Sequence, residues 1–413
     1  MYYTCRLALA VIKKPLIDEG IFTITDLGTI GAALFYGYAF GKFVNGFVAD
    51  HVSPRIFFTA GLCFSAIVNL VMGWSTVVVL SAILWALNGW FQGFGAPSSV
   101  ISLTNWFSDH ERGRYYGIWS GGHFIGEGTT FYIVAAIVAT FGWRYGFWAP
   151  GLFCLVFAFW VFVFLQNKPE TLGLPDIADW RRDRWEPRKP GEPREPGKRR
   201  DGQSTWEIQR SIFAIPELWI LAASSALMYI TRYAINSWGI LYLQEVRGFS
   251  LVESGLFLSI NTAAGLVGAI AYGYISDKLF NARRPPSNLL FAAIEVVALC
   301  IIFFGPNDIY ILGTAFVLYG VGLSGLLTAI GGLFAVDIAP NRVAGAAMGF
   351  IGVFSYLGAA MQEYLSARLI DAGVRTVDGV KVYDFSAAIF FWIGCSILSM
   401  ILAATLWHAR VRD

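Results

Sequence analysis

The chain has 413 residues, of which 56% are apolar and 14% charged, with a mean hydropathy of +0.58. Soluble domains average about 25% charged residues, so this composition excludes an ordinary soluble protein and points to a polytopic membrane protein. The formal net charge of +2 says little, because the charges gather between apolar runs.

Residues 2–12 are apolar except for Arg6, and Lys13, Lys14 and Pro15 close the run. At ~1.5 Å per residue this run reaches only about half way across the hydrocarbon. The first span is therefore expected as a half-helix, with a further apolar stretch preceding Met1. Without that stretch, Arg6 is free to snorkel to water. Further apolar runs follow at 27–48, 56–74, 77–107, 115–141 and 145–165.

A polar segment, 166–210, comes next, with eleven Lys/Arg, nine Asp/Glu and six prolines by position 196. Its near-balanced charge argues against a nucleic-acid site and for a solvated linker. Its ends, 169–180 and 206–213, read as locally ordered. Its middle, 181–202, has too little apolar surface to fold alone. The second half repeats the plan at 218–241, 255–275, 289–304, 309–335, 344–370 and 385–407. The expected organisation is an N-terminal six-helix bundle at 1–165, a linker at 166–210 and a C-terminal six-helix bundle at 211–413.

Short loops on the linker's side carry nine Lys/Arg, including Arg342 and the tail residues Arg410 and Arg412. The opposite side carries six, Lys13 and Lys14 among them. With the linker's own charges added, the linker side is expected to be cytoplasmic. Five cysteines fall singly in apolar runs, with no metal or redox spacing. No cofactor or metal is expected.

Two internal echoes have nearly the same offset. Tyr2-Tyr3-Thr4-Cys5-Arg6 is echoed by the stretch YITRYAINSW at 229–238, which places Arg6 and Arg232 226 residues apart. GFVAD at 46–50 is echoed by GYISD at 273–277, which places Asp50 and Asp277 227 apart. Arg232 is the fifteenth residue of its 24-residue run, near the membrane middle. A charge there costs at least ~2.5 kcal/mol on insertion scales and marks a function. A two-fold between the halves would bring the two arginines face to face. Two permanent cations on one cavity at the midplane make an anion site. Left empty, that site would hold two unpaired cations.

The loop GFVADHVSPR at 46–55 resembles the loop between the second and third helices of the major facilitator superfamily. More specific are YYTCR, GWFQGFGAP at 89–97, His123 in WSGGHFIG, PETLGLP at 169–175 and TRYAINSW at 231–238. Together these resemble the organophosphate:inorganic phosphate antiporter family. It includes bacterial glycerol-3-phosphate and hexose-phosphate transporters and a sugar-phosphate sensor. The resemblance implies an all-α fold of two six-helix bundles related by a pseudo-two-fold, in the bacterial inner membrane with the linker cytoplasmic. It implies phosphate binding by Arg6 and Arg232, a helix-5 histidine at His123, a helix-2 lysine at Lys42, and tyrosines near the substrate at Tyr3, Tyr229 and Tyr356. The glycerol-3-phosphate branch has a lysine where this chain has Leu7 and an aspartate where it has Ser237.

His123 is the one histidine well inside an apolar run; His51, His110 and His408 fall at loops or ends. It reads either as a donor to phosphate or as a packed polar residue. Its repeat partner is Ser355, because Gly117, His123 and Gly126 match Gly349, Ser355 and Gly358 at an offset of 232. Lys42 reads either as a third cation of the site or as a snorkelling residue. Glu127, one turn beyond His123 on the same face, and Glu363 read either as discriminating sugar hydroxyls or as neutralising a basic neighbour. Asp50 and Asp277 read as gate contacts rather than substrate ligands. The expected activity is exchange of an organic phosphate for inorganic phosphate by alternating access, by a monomer in the bilayer. The alternative is a sensor of the same fold that signals to a histidine kinase. No nucleophile–base or metal cluster suggests an enzyme.

Overall fold

The structure, a computed structural model, describes residues 1–175, 177–180, 211–281, 283–330, 334, 338, 344–378 and 380–407. The linker middle, Arg342, His408, Arg410 and Arg412 lie outside them. The first half forms α1 (Tyr2–Asp18), α2 (Ile24–Ala49), α3 (Pro54–Met72), α4 (Val78–Gln92), α5 (Gly95–Trp106), α6 (Asp109–Phe141) and α7 (Tyr145–Phe164). A 3-10 turn, Pro169–Leu172, and a short α8 (Ile177–Trp180) begin the linker. The second half forms α9 (Pro216–Tyr233), a π-helical turn (Ala234–Trp238), α10 (Gly239–Glu245), α11 (Leu251–Leu279), α12 (Arg284–Phe304), α13 (Ile309–Thr328), α14 (Ala344–Gly373) and α15 (Ser386–Thr405). Among the described residues, nine helical stretches are long and apolar enough to cross a membrane. The architecture is all-α, as expected. An antiparallel hairpin of β1 (Arg375–Val377) and β2 (Val380–Val382), which the sequence did not announce, links α14 to α15.

Local chemistry sets several helix starts. Thr23 and Asp26 form a reciprocal capping box on α2, and Ser250 and Glu253 do the same on α11. Ser53 accepts from Ile56 N–H while Pro54 takes the first helical position of α3. Asp308 accepts from two backbone N–H groups at the start of α13.

Three elements differ from the sequence reading. The run 77–107 is two helices, α4 and α5, broken near Gly93. An added Cβ there would lie 3.0 Å from the backbone of Gly41 and Lys42, so the close approach of α2 leaves little room for a side chain at this point. The run 218–241 is interrupted by the π turn just after Arg232. The third difference is at the start of the chain: α1 does not stop at Ile12. It continues through Lys13, Lys14 and Pro15 to Asp18. Lys13 is therefore not a loop charge on the far side. It is 1% exposed, because Glu363 on α14 supplies its counter-charge and spares it the reach to water.

The two halves meet along α2 with α14, α6 with α11, and α1 with the π turn. On the side away from the linker they are in close contact. An added Cβ at Gly31 would lie 2.9 Å from the Glu363 carboxyl, and one at Gly255 would lie 2.7 Å from the carbonyl of Phe131. Toward the linker side, Gly117, Gly122 and Gly349 meet nothing within 4 Å of an added Cβ. Their neighbours Gly121 and Gly352 still meet the other half, at 3.4 Å from Leu266 and from Lys42 Nζ, so the approach there is looser than at Gly31 and Gly255. On α7, Val156, Phe159, Trp160, Val163 and Phe164 are all exposed at helical spacing. This is the face a lipid-bathed helix presents.

Candidate anion site

Arg6 and Arg232 come from opposite halves and meet across one ring. The Arg6 guanidinium carbon lies 5.5 Å from the centroid of Tyr233, and that of Arg232 lies 5.4 Å from it. Both arginines are buried, at 6% and 7% exposure. Arg6 is therefore not snorkelling.

Arg6 sits in an aromatic cage. Tyr38 is 4.7 Å from its guanidinium, Phe35 5.3 Å, Tyr356 5.5 Å and Tyr3 5.8 Å. Each such contact contributes roughly 0.5–2 kcal/mol. One Nη donates to the Tyr233 hydroxyl at 2.7 Å, and Nε has no hydrogen-bond partner. No carboxylate among the described residues pairs with Arg6.

Arg232 is different. It donates to Glu127 Oε2 at 3.2 Å, and Asn236 Nδ2 donates to the other oxygen of the same carboxylate. Glu127 is 3% exposed. The expectation of two unpaired cations in the empty site therefore fails for Arg232, because α6 carries an internal counter-ion. Of the two readings of Glu127, the geometry matches neutralisation of a basic neighbour.

The π turn follows Arg232 and Tyr233 directly. Such turns recur at functional sites. Here it aims Asn236 and Ser237 at a cavity of about 30 Å³, which Arg6, Leu7, Trp85, Tyr233 and Glu363 also line. That is room for about one water, so a phosphate ester needs the site to expand. Lys13 donates to Ser237 Oγ at 2.7 Å and to Glu363 Oε2 at 3.0 Å, and its Nζ lies 3.3 Å from the Trp238 ring centroid. Glu363, like Glu127, neutralises a cation, and it does so across the halves. Beside it, Lys14 pairs with Glu245 on α10 and with Asp18 at 3.3 Å.

The other candidates fall as follows. Tyr229 lies 5.4 Å from Tyr356 and 5.7 Å from the Arg232 guanidinium. His123 is partly buried and stacks on Tyr3, centroids 5.9 Å apart. Lys42 is exposed, with Nζ 5.5 Å from the Tyr356 ring. These residues and both arginines share one region through the tyrosines. Ser355, the repeat partner of His123, lies outside it and bonds to Ser225 at 2.8 Å. Asp50 is exposed at the end of α2, and Asp277 pairs with Arg284 at 3.2 Å at the linker-side end of α11; neither reaches the arginines' cavity.

Sequence reasoning missed Tyr233, Tyr38, Phe35, Asn236 and Lys13. A signal existed for Lys13: it is seven residues from Arg6, two turns along one helix face, and Glu363 was a midspan carboxylate in want of a partner.

A sequence model described as the Major Facilitator Superfamily matches residues 1–362. The chain belongs to this superfamily. The membrane sensor protein UhpC of Salmonella typhimurium is 34% identical over 373 residues, 90% of this chain and 83% of that one. A probable hexose phosphate transport protein of Chlamydia pneumoniae is 31% identical over 424 residues, 100% of this facilitator and 89% of that protein. These relatives bear out the resemblance to the organophosphate antiporter family. The solved structure of a bacterial homologue of the human lysosomal transporter Spinster shares the fold, with a TM-score of 0.75 at 14% identity over 98% of this chain and 93% of that one.

Proposed function

We propose that this facilitator exchanges an organic phosphate, a sugar phosphate foremost, for inorganic phosphate by alternating access. The observation that carries the reading is the pair of buried arginines from opposite halves flanking Tyr233, with Arg6 opening on a small cavity that Asn236, Ser237 and Glu363 also line. Arginine's planar fork matches phosphate oxygens two at a time. A phosphate held by both would draw the halves together, and the ligand itself would then favour the rocking step. The names of the hexose phosphate relatives support this choice of substrate. His123, Lys42, Tyr3, Tyr229 and Tyr356 complete the proposed site, and Asp50 and Asp277 serve as linker-side gate contacts. We place the bundles at 1–165 and 211–413, the linker in the cytoplasm and the monomer in the bacterial inner membrane.

The test is uptake of labelled phosphate into proteoliposomes preloaded with phosphate, with hexose phosphates as competitors. Exchange that hexose phosphates block supports the reading, and absence of exchange from correctly inserted protein overturns it. A second reading has support in the 34% identity to a protein named a sensor. In that case the chain binds external sugar phosphate and signals to a histidine kinase. Ligand binding without exchange would favour the sensor.

A further inference from the structure

Next to the cavity that Arg6 lines is a buried acceptor that no protein donor reaches. Asn236 is 4% exposed and lines the cavity. Its Nδ2 donates to Glu127, which sets the orientation of the amide, since an ionised carboxylate only accepts. Its Oδ1 is buried without a hydrogen-bond partner. Glu127 stands next to it, with Arg232 on its other oxygen.

We propose that the substrate's organic part carries a positively charged nitrogen, so that the ligand is an amino-bearing phosphate monoester whose ammonium binds between Glu127 and Asn236 Oδ1. This rests on the phosphate reading above and names the substrate class of the same site.

The argument is a charge balance. A phosphate monoester carries roughly 1.5–2 negative charges near neutral pH. Arg6 and Arg232 offer two positive charges, and Glu127 already draws on one of them. A phosphate on both arginines would leave nearly three negative charges facing two positive ones in a buried site, and buried charges left uncompensated are strongly unfavourable. Lys13 gives no relief, because Glu363 neutralises it. Lys42 stands at the exposed rim of the site by the Tyr356 ring, where water screens its charge, and His123 stacks on Tyr3 rather than bonding to Glu127. An ammonium brings the missing charge to Glu127 and an N–H donor to Asn236 Oδ1. A hydroxyl in its place brings the donor alone.

The test uses two pairs of esters that differ by an ammonium for a hydroxyl. They are glucosamine 6-phosphate against glucose 6-phosphate, and phosphoethanolamine against 2-hydroxyethyl phosphate. Each competes with labelled phosphate in proteoliposomes bearing wild type or Glu127→Gln. The amino ester of at least one pair should compete about 10-fold better in wild type, the worth of one charge-assisted contact. That advantage should vanish in Glu127→Gln. Equal competition within both pairs in wild type overturns the proposal, whether or not the variant folds. An advantage kept in full by Glu127→Gln overturns it too. Exchange that varies steeply with pH and shows no amine preference means that a proton takes the ammonium's place, again overturning it. If no ester and no unlabelled phosphate displaces the label, the phosphate reading itself has failed.

Discussion

Arg6 and Arg232 hold equivalent places in the two halves, yet their surroundings differ. Arg6 rests among four tyrosines and a phenylalanine and bonds to one neutral hydroxyl. Arg232 rests on a carboxylate. Each partner comes from the other half: Tyr233 reaches Arg6 from the C-terminal bundle, and Glu127 reaches Arg232 from the N-terminal one. The repeat explains why the contacts are not mirrored. At an offset of 232, Glu127 corresponds to Ala359, and at 226, Tyr233 corresponds to Leu7. The repeat positions share the two cations but not the residues that meet them. A site built this way has one arginine with donors to spare and one whose fork is already shared.

The cross-half pair Lys13–Glu363 calibrates what an ionic partner is worth here. Glu363→Gln leaves a buried lysine uncompensated and should lower stability by about 3–5 kcal/mol, read as an earlier thermal transition in detergent. The double change Lys13→Met, Glu363→Leu should recover most of the loss. An unshifted transition in the single variant would mean that Lys13 finds water, and the contrast between ionic and neutral partners would lose its energetic basis.

The arginines themselves come next. Arg6→Lys should weaken phosphate binding by about 10- to 150-fold, at ~1.5–3 kcal/mol for a lost charge-assisted bond. Arg232→Lys should cost less, because Glu127 already occupies part of that fork. The double variant should fall well short of the product, since both act on one ligand. Equal losses in titrations of phosphate would erase the asymmetry.

Tyr233→Phe keeps the ring and removes the one described hydrogen bond of Arg6. The empty site becomes less satisfied, so phosphate should bind more tightly, by up to about 10-fold. Weaker binding would place the hydroxyl on the ligand instead. Smallest of all, Asp277→Asn breaks an exposed pair with Arg284 and should change stability by less than ~1 kcal/mol. A slower exchange at unchanged stability would support its assignment to the gate.

Much of this was legible in the chain. The repeat offsets singled out both arginines, and most apolar runs fall on helices. The contacts between residues far apart in sequence were not. Lys13 and Glu363 are 350 positions apart, and a lysine followed by lysine and proline reads locally as a helix end. Glu127 and Arg232 sit on different bundles, so spacing along α6 left its role open. The π turn has no signature that spacing reads, because Ala234–Trp238 lies inside one continuous run and its break is a change of hydrogen-bond phase.

Glu127 also bears on how a membrane voltage acts on the proposed carrier. A site with two bare arginines would present two elementary charges to the field when empty. With Glu127 in place the same three groups sum to one. Moving a charge across the whole membrane involves ~2.3 kcal/mol per 100 mV. For whatever fraction of the field these groups cross, the potential therefore does half as much work on the unloaded protein as it would on bare arginines.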